Sequence, residues 1–314
     1  MSVETAAEWI RKNSHGLAGT EYDEPLDELR PLVPLVGDAK VVALGAAARQ
    51  TRELSVVAHR IVRLLVEEAG FRTLALEGDD AARLGLDVYV ATGEGDPRAM
   101  LAGARAFWQT GEILDLIRWM RFYNESHPED PVRFAQSPDK PVRHTTQPDG
   151  LAAVERTLAD GVAWWLERSG DKVVYWGGMA HTAVGDPRSV SPSLETHRNM
   201  GGYLRERMGM DYRSIGLTMA RGSIGVPLPA PSADFVDAAL SAAAGGRAGY
   251  ILNLQGPRPE PVRRVLDAPS RTRLIGPFYD PQDDAAHHLS GGSLATWFDV
   301  VVHTEEVTPV RPLP

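Results

Sequence analysis

The chain has 314 residues, 33 Lys plus Arg against 42 Asp plus Glu, and a net charge of -9. That length supports a large core in one α/β domain, and the acidic balance speaks against a general nucleic-acid binder, which needs a basic face for phosphate. With no cysteine, disulfides, thiolate metal sites and cysteine nucleophiles are excluded.

The first stretch, MSVETAAEWIRKNSHGLAG, is amphipathic and mixed in charge, which reads as a helical lead-in over 1–38 rather than a signal peptide. Short apolar runs then alternate with helix-period segments, the pattern of a mainly parallel sheet with helices on both faces. Strands are expected at Lys40–Leu44, Arg72–Glu77, Val132–Ala135, Lys172–Trp176, Ser214–Met219, Gly249–Leu254 and Phe298–His303. Their continuous rather than alternating apolarity fits strands covered on both faces. Between them, Arg52–Ala69 repeats Leu54, Val57, Ile61, Leu64 and Leu65 at helix period and stops at Gly70. Glu112–Asn124 and Leu151–Arg168 are the next helices. Gln136–Gly150, with three prolines, is a polar connector. No apolar run approaches the ~18 residues of a membrane span, so a cytoplasmic protein with no membrane or nucleic-acid partner is expected.

In open α/β sheets, ligand sites lie beyond the carboxyl ends of the strands. That rule nominates Gly45–Thr51, Glu77–Asp80, Gln136–Ser137, Gly177–His181 and Ala220–Ser223. No G-x-G-x-x-G follows a strand, no G-x-S-x-G elbow occurs, and no His/Asp/Glu spacing matches a metal motif. Neither a cofactor nor a metal is expected.

Six blocks in order, VVALGAAARQTREL, GFRTLALEGDDAARLGLDVYV, ILDLIRWMRFYN, KVVYWGGMAH, NMGGYLRERMGMDYRSIGLT and FDVVVHTEEVTPVRPL, resemble the erythromycin esterase-like family over about residues 30–314. The resemblance implies one α/β domain over 1–314 and, in some members, hydrolysis of macrolide lactones. It also implies a G-E-x-x-H-G motif after the first strand, whose His activates water. Here the Glu is replaced by Ala46 and the His by Arg49. A helix Arg becomes Ala58, H-N-x-H is reduced to His181, and Val154–Glu155 stands where an Arg–Asp pair is usual. Glu77 matches the family carboxylate and Glu53 keeps its place. The connector 136–150 replaces a longer helical insertion.

Arg49 cannot act as the base, because a guanidinium stays protonated. It can hold an anion or stabilise developing negative charge. The expected catalytic set is therefore Glu77, His181 and Arg49, working by proton transfer (cyclisation, elimination or isomerisation) rather than macrolide hydrolysis. Glu53, Trp176 and Met179 are expected to contact the substrate. The implied partner is a hydrophobic small molecule or peptide-like natural product of specialised metabolism. Two alternatives stand beside this: Arg49 as a mere ion-pair partner tying strand ends, and an inactive relative that binds or sequesters a small molecule.

Overall fold

The computed structural model describes residues 5–22, 24–136, 150–185, 188–189, 197–276 and 279–313. Twelve strands follow in chain order. They are β1 Ser14–Leu17, β2 Val41–Ala46, β3 Phe71–Leu76, β4 Arg133–Phe134, β5 Lys172–Gly178 and β6 Arg188–Ser189. The second half holds β7 Tyr212–Ser223, β8 Pro227–Leu228, β9 Gly249–Asn253, β10 Ser270–Arg273, β11 His288–Gly292 and β12 Val300–Val307.

A nine-stranded mixed sheet runs β1-β9-β12-β7-β2-β5-β3-β4, with β8 attached to β7. The run from β12 through β7, β2, β5 and β3 to β4 is parallel. The β9 strand pairs antiparallel with β12, and β1 pairs antiparallel with β9 at the edge. The lead-in is thus only partly helical: after the helix Ala6–Lys12 it contributes an edge strand. A separate three-stranded sheet is ordered β10-β11-β6.

Alternation along the central strands builds two cores, one on each face. Val42, Leu44, Leu74, Leu76, Val174, Trp176, Ile215 and Leu217 point to one face, packed with Leu54, Val57 and Ile61 of the helix Arg52–Ala69 and Ile113 and Leu116 of Gly111–Ser126. Val41, Ala43, Ala75, Val173, Tyr175 and Tyr212 point to the other, under the helices Gly150–Ser169 and Met200–Met208. The Arg52–Ala69 helix ends where Gly70, at φ 73°, turns into the left-handed region that a side chain disfavours.

The β4 strand shrinks to Arg133–Phe134, whereas β7 extends the expected Ser214–Met219 at both ends. Length follows pairing: β7 is flanked by both β2 and β12, but among the described residues β4 has a single neighbour. The expected connector 136–150 lies outside the described residues apart from its two ends. Among the described residues no helix is long and apolar enough to cross a membrane.

Candidate functional site

Glu77 is the first residue past β3, and its N–H still donates to the Trp176 carbonyl at 2.9 Å, so the sheet ladder fixes it. Its carbonyl accepts from Arg105 Nη2 at 3.0 Å and from Trp108 Nε1 at 3.3 Å. The side chain is buried on the same face as Ala75 and Tyr175. There Oε2 accepts from the Gly178 N–H at 2.8 Å and from Arg49 Nη2. His181 Nε2 stands 3.4 Å from Oε1.

His181 belongs to the short helix Met179–Thr182 that follows β5. Its Nδ1 lies 2.7 Å from Glu155 Oε1. Glu155 comes from the helix Gly150–Ser169, and its Oε2 accepts from the Met200 N–H at 2.8 Å, at the start of Met200–Met208. A carboxylate at a helix N-terminus is favoured by the unpaired N–H groups and the dipole. The result is a chain of alternating sign, Glu155–His181–Glu77–Arg49.

Arg49 lies in the loop between β2 and the Arg52–Ala69 helix. Its guanidinium covers the Phe107 ring at 4.4 Å, and the side chain as a whole is 24% exposed. Glycine makes this approach possible: a Cβ at residue 178 would stand 2.5 Å from Arg49 Nη2, and one at residue 177 would stand 2.8 Å from Glu77 Oε2.

The electrostatics follow from this geometry. Burial opposes the charge on Glu77, but Arg49, His181 and the Gly178 N–H outweigh it and hold the carboxyl well below its ordinary range. Burial likewise opposes the charge on His181, yet Glu155 and Glu77 override it and raise the imidazole to about 10. At neutral pH the pair is carboxylate and imidazolium, with no base poised near the working pH. Tyr175 is pushed well above its usual value by burial and then by Glu77 and Glu155, so it stays a phenol. Its buried hydroxyl has no hydrogen-bond partner among the described residues, and the ring lines a cavity of about 50 Å³ with Ala75, Gly78, Ala82, Thr157 and Gly161. No group of three or more metal-ligating side chains converges among the described residues.

Arg49, Glu77 and His181 therefore meet in one place, and the other three nominated residues do not join them. Glu53 accepts from the Thr308 N–H and Oγ1, both at 2.6 Å, and so fastens the segment after β12. Trp176 is buried against Trp108, edge to face at 6.1 Å. Met179 is fully buried. Both support the site from within the core instead of lining it. Glu155 corrects the sequence reading more sharply: read as part of a lost pair, it supplies the carboxylate that holds His181. Phe107 and Arg105 were also missed. The only sequence signal for Glu155 was its position where the family carries a charged pair.

The erythromycin esterase family model matches residues 66–147 and 140–307. The erythromycin esterase type II of Escherichia coli is 26% identical over 122 residues, covering 39% of this chain and 29% of that relative's length. Among solved structures, a Bacillus cereus protein superposes with a TM-score of 0.80 at 20% identity, over 98% of both chains. A succinoglycan biosynthesis protein gives 0.77 at 19% identity, over 98% of this chain and 97% of that one. A mutant of the erythromycin esterase EreC in its open conformation gives 0.63 at 15% identity, over 92% and 96%. These likenesses establish the fold.

Proposed function

Because this chain belongs to the erythromycin esterase family, we propose that it binds a small molecule at the strand ends without opening macrolide lactones. The observation that carries this reading is the closed charge array Glu155–His181–Glu77–Arg49. Water activation needs a proton acceptor near the working pH. Arg49 accepts no proton, Glu77 is too weak a base, and both nitrogens of imidazolium His181 carry protons. What remains available is a fixed cation whose side chain is partly exposed. Arg49 suits a carboxylate, a lactone carbonyl or another oxygen acceptor on a ligand. Family membership and the partly exposed Arg49 side chain together favour a hydrophobic polyketide- or peptide-type molecule of specialised metabolism, in a cytoplasmic setting.

A second reading, proton-transfer catalysis, is favoured by the unpartnered Tyr175 hydroxyl beside the array. In it, Tyr175 and imidazolium His181 donate to an oxygen that gains charge, and Arg49 supplies the electrostatic stabilisation.

The test uses purified protein and erythromycin, with product formation followed by mass spectrometry and binding by calorimetry. The expected result is no ring-opened product. A panel of macrolide and cyclic-peptide lactones should contain at least one saturable ligand, and Arg49→Ala should weaken its binding by at least tenfold. Esterase turnover that disappears in Glu77→Gln would sink the non-hydrolytic reading.

A further inference from the structure

The segment that follows β12 is held by two helices that begin in the same way. Thr51 is the N-cap of Arg52–Ala69 and Thr110 that of Gly111–Ser126, and a buried glutamate, Glu53 or Glu112, stands two residues further on. Thr51 forms an isolated antiparallel bridge with Pro309, and Thr110 forms one with Pro312. Glu53 accepts from the N–H and Oγ1 of Thr308, both at 2.6 Å. Glu112 accepts from the N–H of Arg311 at 3.1 Å and from its Nε at 2.9 Å. One contact is thus made twice, three residues apart along the segment.

The backbone completes the clasp. The Arg52 N–H donates to the Thr308 carbonyl at 2.9 Å, and the Val310 N–H to the Gln50 carbonyl at 3.3 Å. The Gly111 N–H donates to the Arg311 carbonyl at 2.9 Å. Thr308 and Arg311 are exposed, yet their acceptors are not: Glu53 and Glu112 are 6% and 2% exposed. Both carboxylates sit in the first turn of a helix, where the unpaired N–H groups and the dipole favour them. Buried acceptors cannot turn to water for a lost donor, so the segment is held firmly although it lies on the surface.

The clasp joins the two loops that meet at the charge array. Arg49 stands between Ala47, whose N–H donates to the Leu217 carbonyl at 2.9 Å, and the pair Gln50 and Arg52 that the segment holds. Phe107, under the Arg49 guanidinium, and Trp108, which donates to the Glu77 carbonyl, stand just ahead of Thr110. Arg49 Nε is buried with no hydrogen-bond partner among the described residues, so its shelter from water depends on how these loops close.

We infer that Thr308 and Arg311 are positioning residues of the strand-end site: by clasping Glu53 and Glu112 they set the Arg49 guanidinium against Phe107 and Glu77. The use of that cation to hold a ligand rests on the strand-end reading proposed above, whereas its placement by the clasp does not.

Solvent exchange of arginine Nε–H protons, followed by heteronuclear NMR on the full chain, tests the inference without a ligand. Arg49→Lys assigns the Arg49 resonance, and Arg273, whose Nε is also buried, is the internal reference. The double variant Thr308→Val with Arg311→Ala removes the side-chain bonds of both contacts and leaves the backbone bonds. Exchange at Arg49 should then rise at least about tenfold, the scale of one or two lost hydrogen bonds, while Arg273 stays unchanged. Thr308→Ser, which keeps the hydroxyl, should match the parent. If the double variant does not fold, Thr308→Val alone should still raise Arg49 exchange about fivefold. Unchanged exchange at Arg49, or equal acceleration at Arg49 and Arg273, would overturn the inference, the second because it marks general loosening. Selective acceleration in a chain that binds no lactone would support the clasp and count against the strand-end reading alone.

Discussion

Two arginines stand at strand ends in this molecule, and their surroundings differ. Arg273, the last residue of β10, is fully buried. It donates to the carbonyls of Ala220 and Pro229 and to Asp284 Oδ2, and its own N–H donates to Asp237 Oδ2 at 2.9 Å. It thereby ties the small sheet to β7, and the guanidinium has no open edge. Arg49 has a single side-chain acceptor among the described residues, Glu77, rests on an aromatic ring, and keeps a quarter of its side-chain surface exposed. A cation enclosed by backbone carbonyls holds the fold together. A cation held from one side only has donors left for something that arrives from solvent.

The sharpest way to break that comparison is to truncate both. Arg273→Ala leaves Asp284 with only the Tyr279 hydroxyl among the described residues and removes the guanidinium donor from two carbonyls. It should cost about 3–5 kcal/mol in denaturant unfolding, as when a buried pair loses one member. A loss below about 1 kcal/mol would show that the surroundings relax and that Arg273 is no tie. Arg49→Ala should cost much less, about 1–2 kcal/mol, because a charge-assisted bond is removed from a partly solvated group. If the two variants lost equal stability, Arg49 would be a plug like Arg273, and the binding reading would lose its basis.

Between these extremes lies Glu155→Gln. The amide can still accept from the Met200 N–H, but it no longer charges His181. A stability loss of about 2 kcal/mol is expected. In a histidine-resolved NMR titration, His181 should fall from about 10 toward the ordinary range near 6.5. A titration unchanged by the substitution would mean that Glu155 does not set the charge of the array.

The last expected effect is a slope. The folded pKa of His181 is raised above 6.5, so its contribution to stability is fully present below pH 6.5 and is lost as pH rises toward about 10. Glu77 works in the opposite direction: its folded pKa is depressed, so its contribution is present above 4.5 and is lost as pH falls below that. Unfolding free energy measured across pH 6.5–10 should decline in the parent, and more gently in His181→Gln. Identical slopes would show that His181 is not an imidazolium in the folded protein.

Several parts of the molecule were legible from the chain alone. The runs KVVAL, RTLALE and KVVYW announce strands covered on both sides, because burial on two faces demands continuous apolarity. The segments that carry Arg49, Glu77 and His181 were also legible, since residues just past neighbouring parallel strands meet at one edge of the sheet, and the family resemblance singled out these three within them. Other features depended on contacts distant in sequence. The β1 strand, Ser14–Leu17, carries no apolar run and becomes a strand only because β9 offers it an edge. Glu155, in the helical segment AAVERTL, marks only a replaced family pair until packing against Met200 and His181 buries it. Local pattern records which surfaces must leave water. Which buried polar groups then face one another is decided by long-range packing, and so the charges of this site appear only in three dimensions.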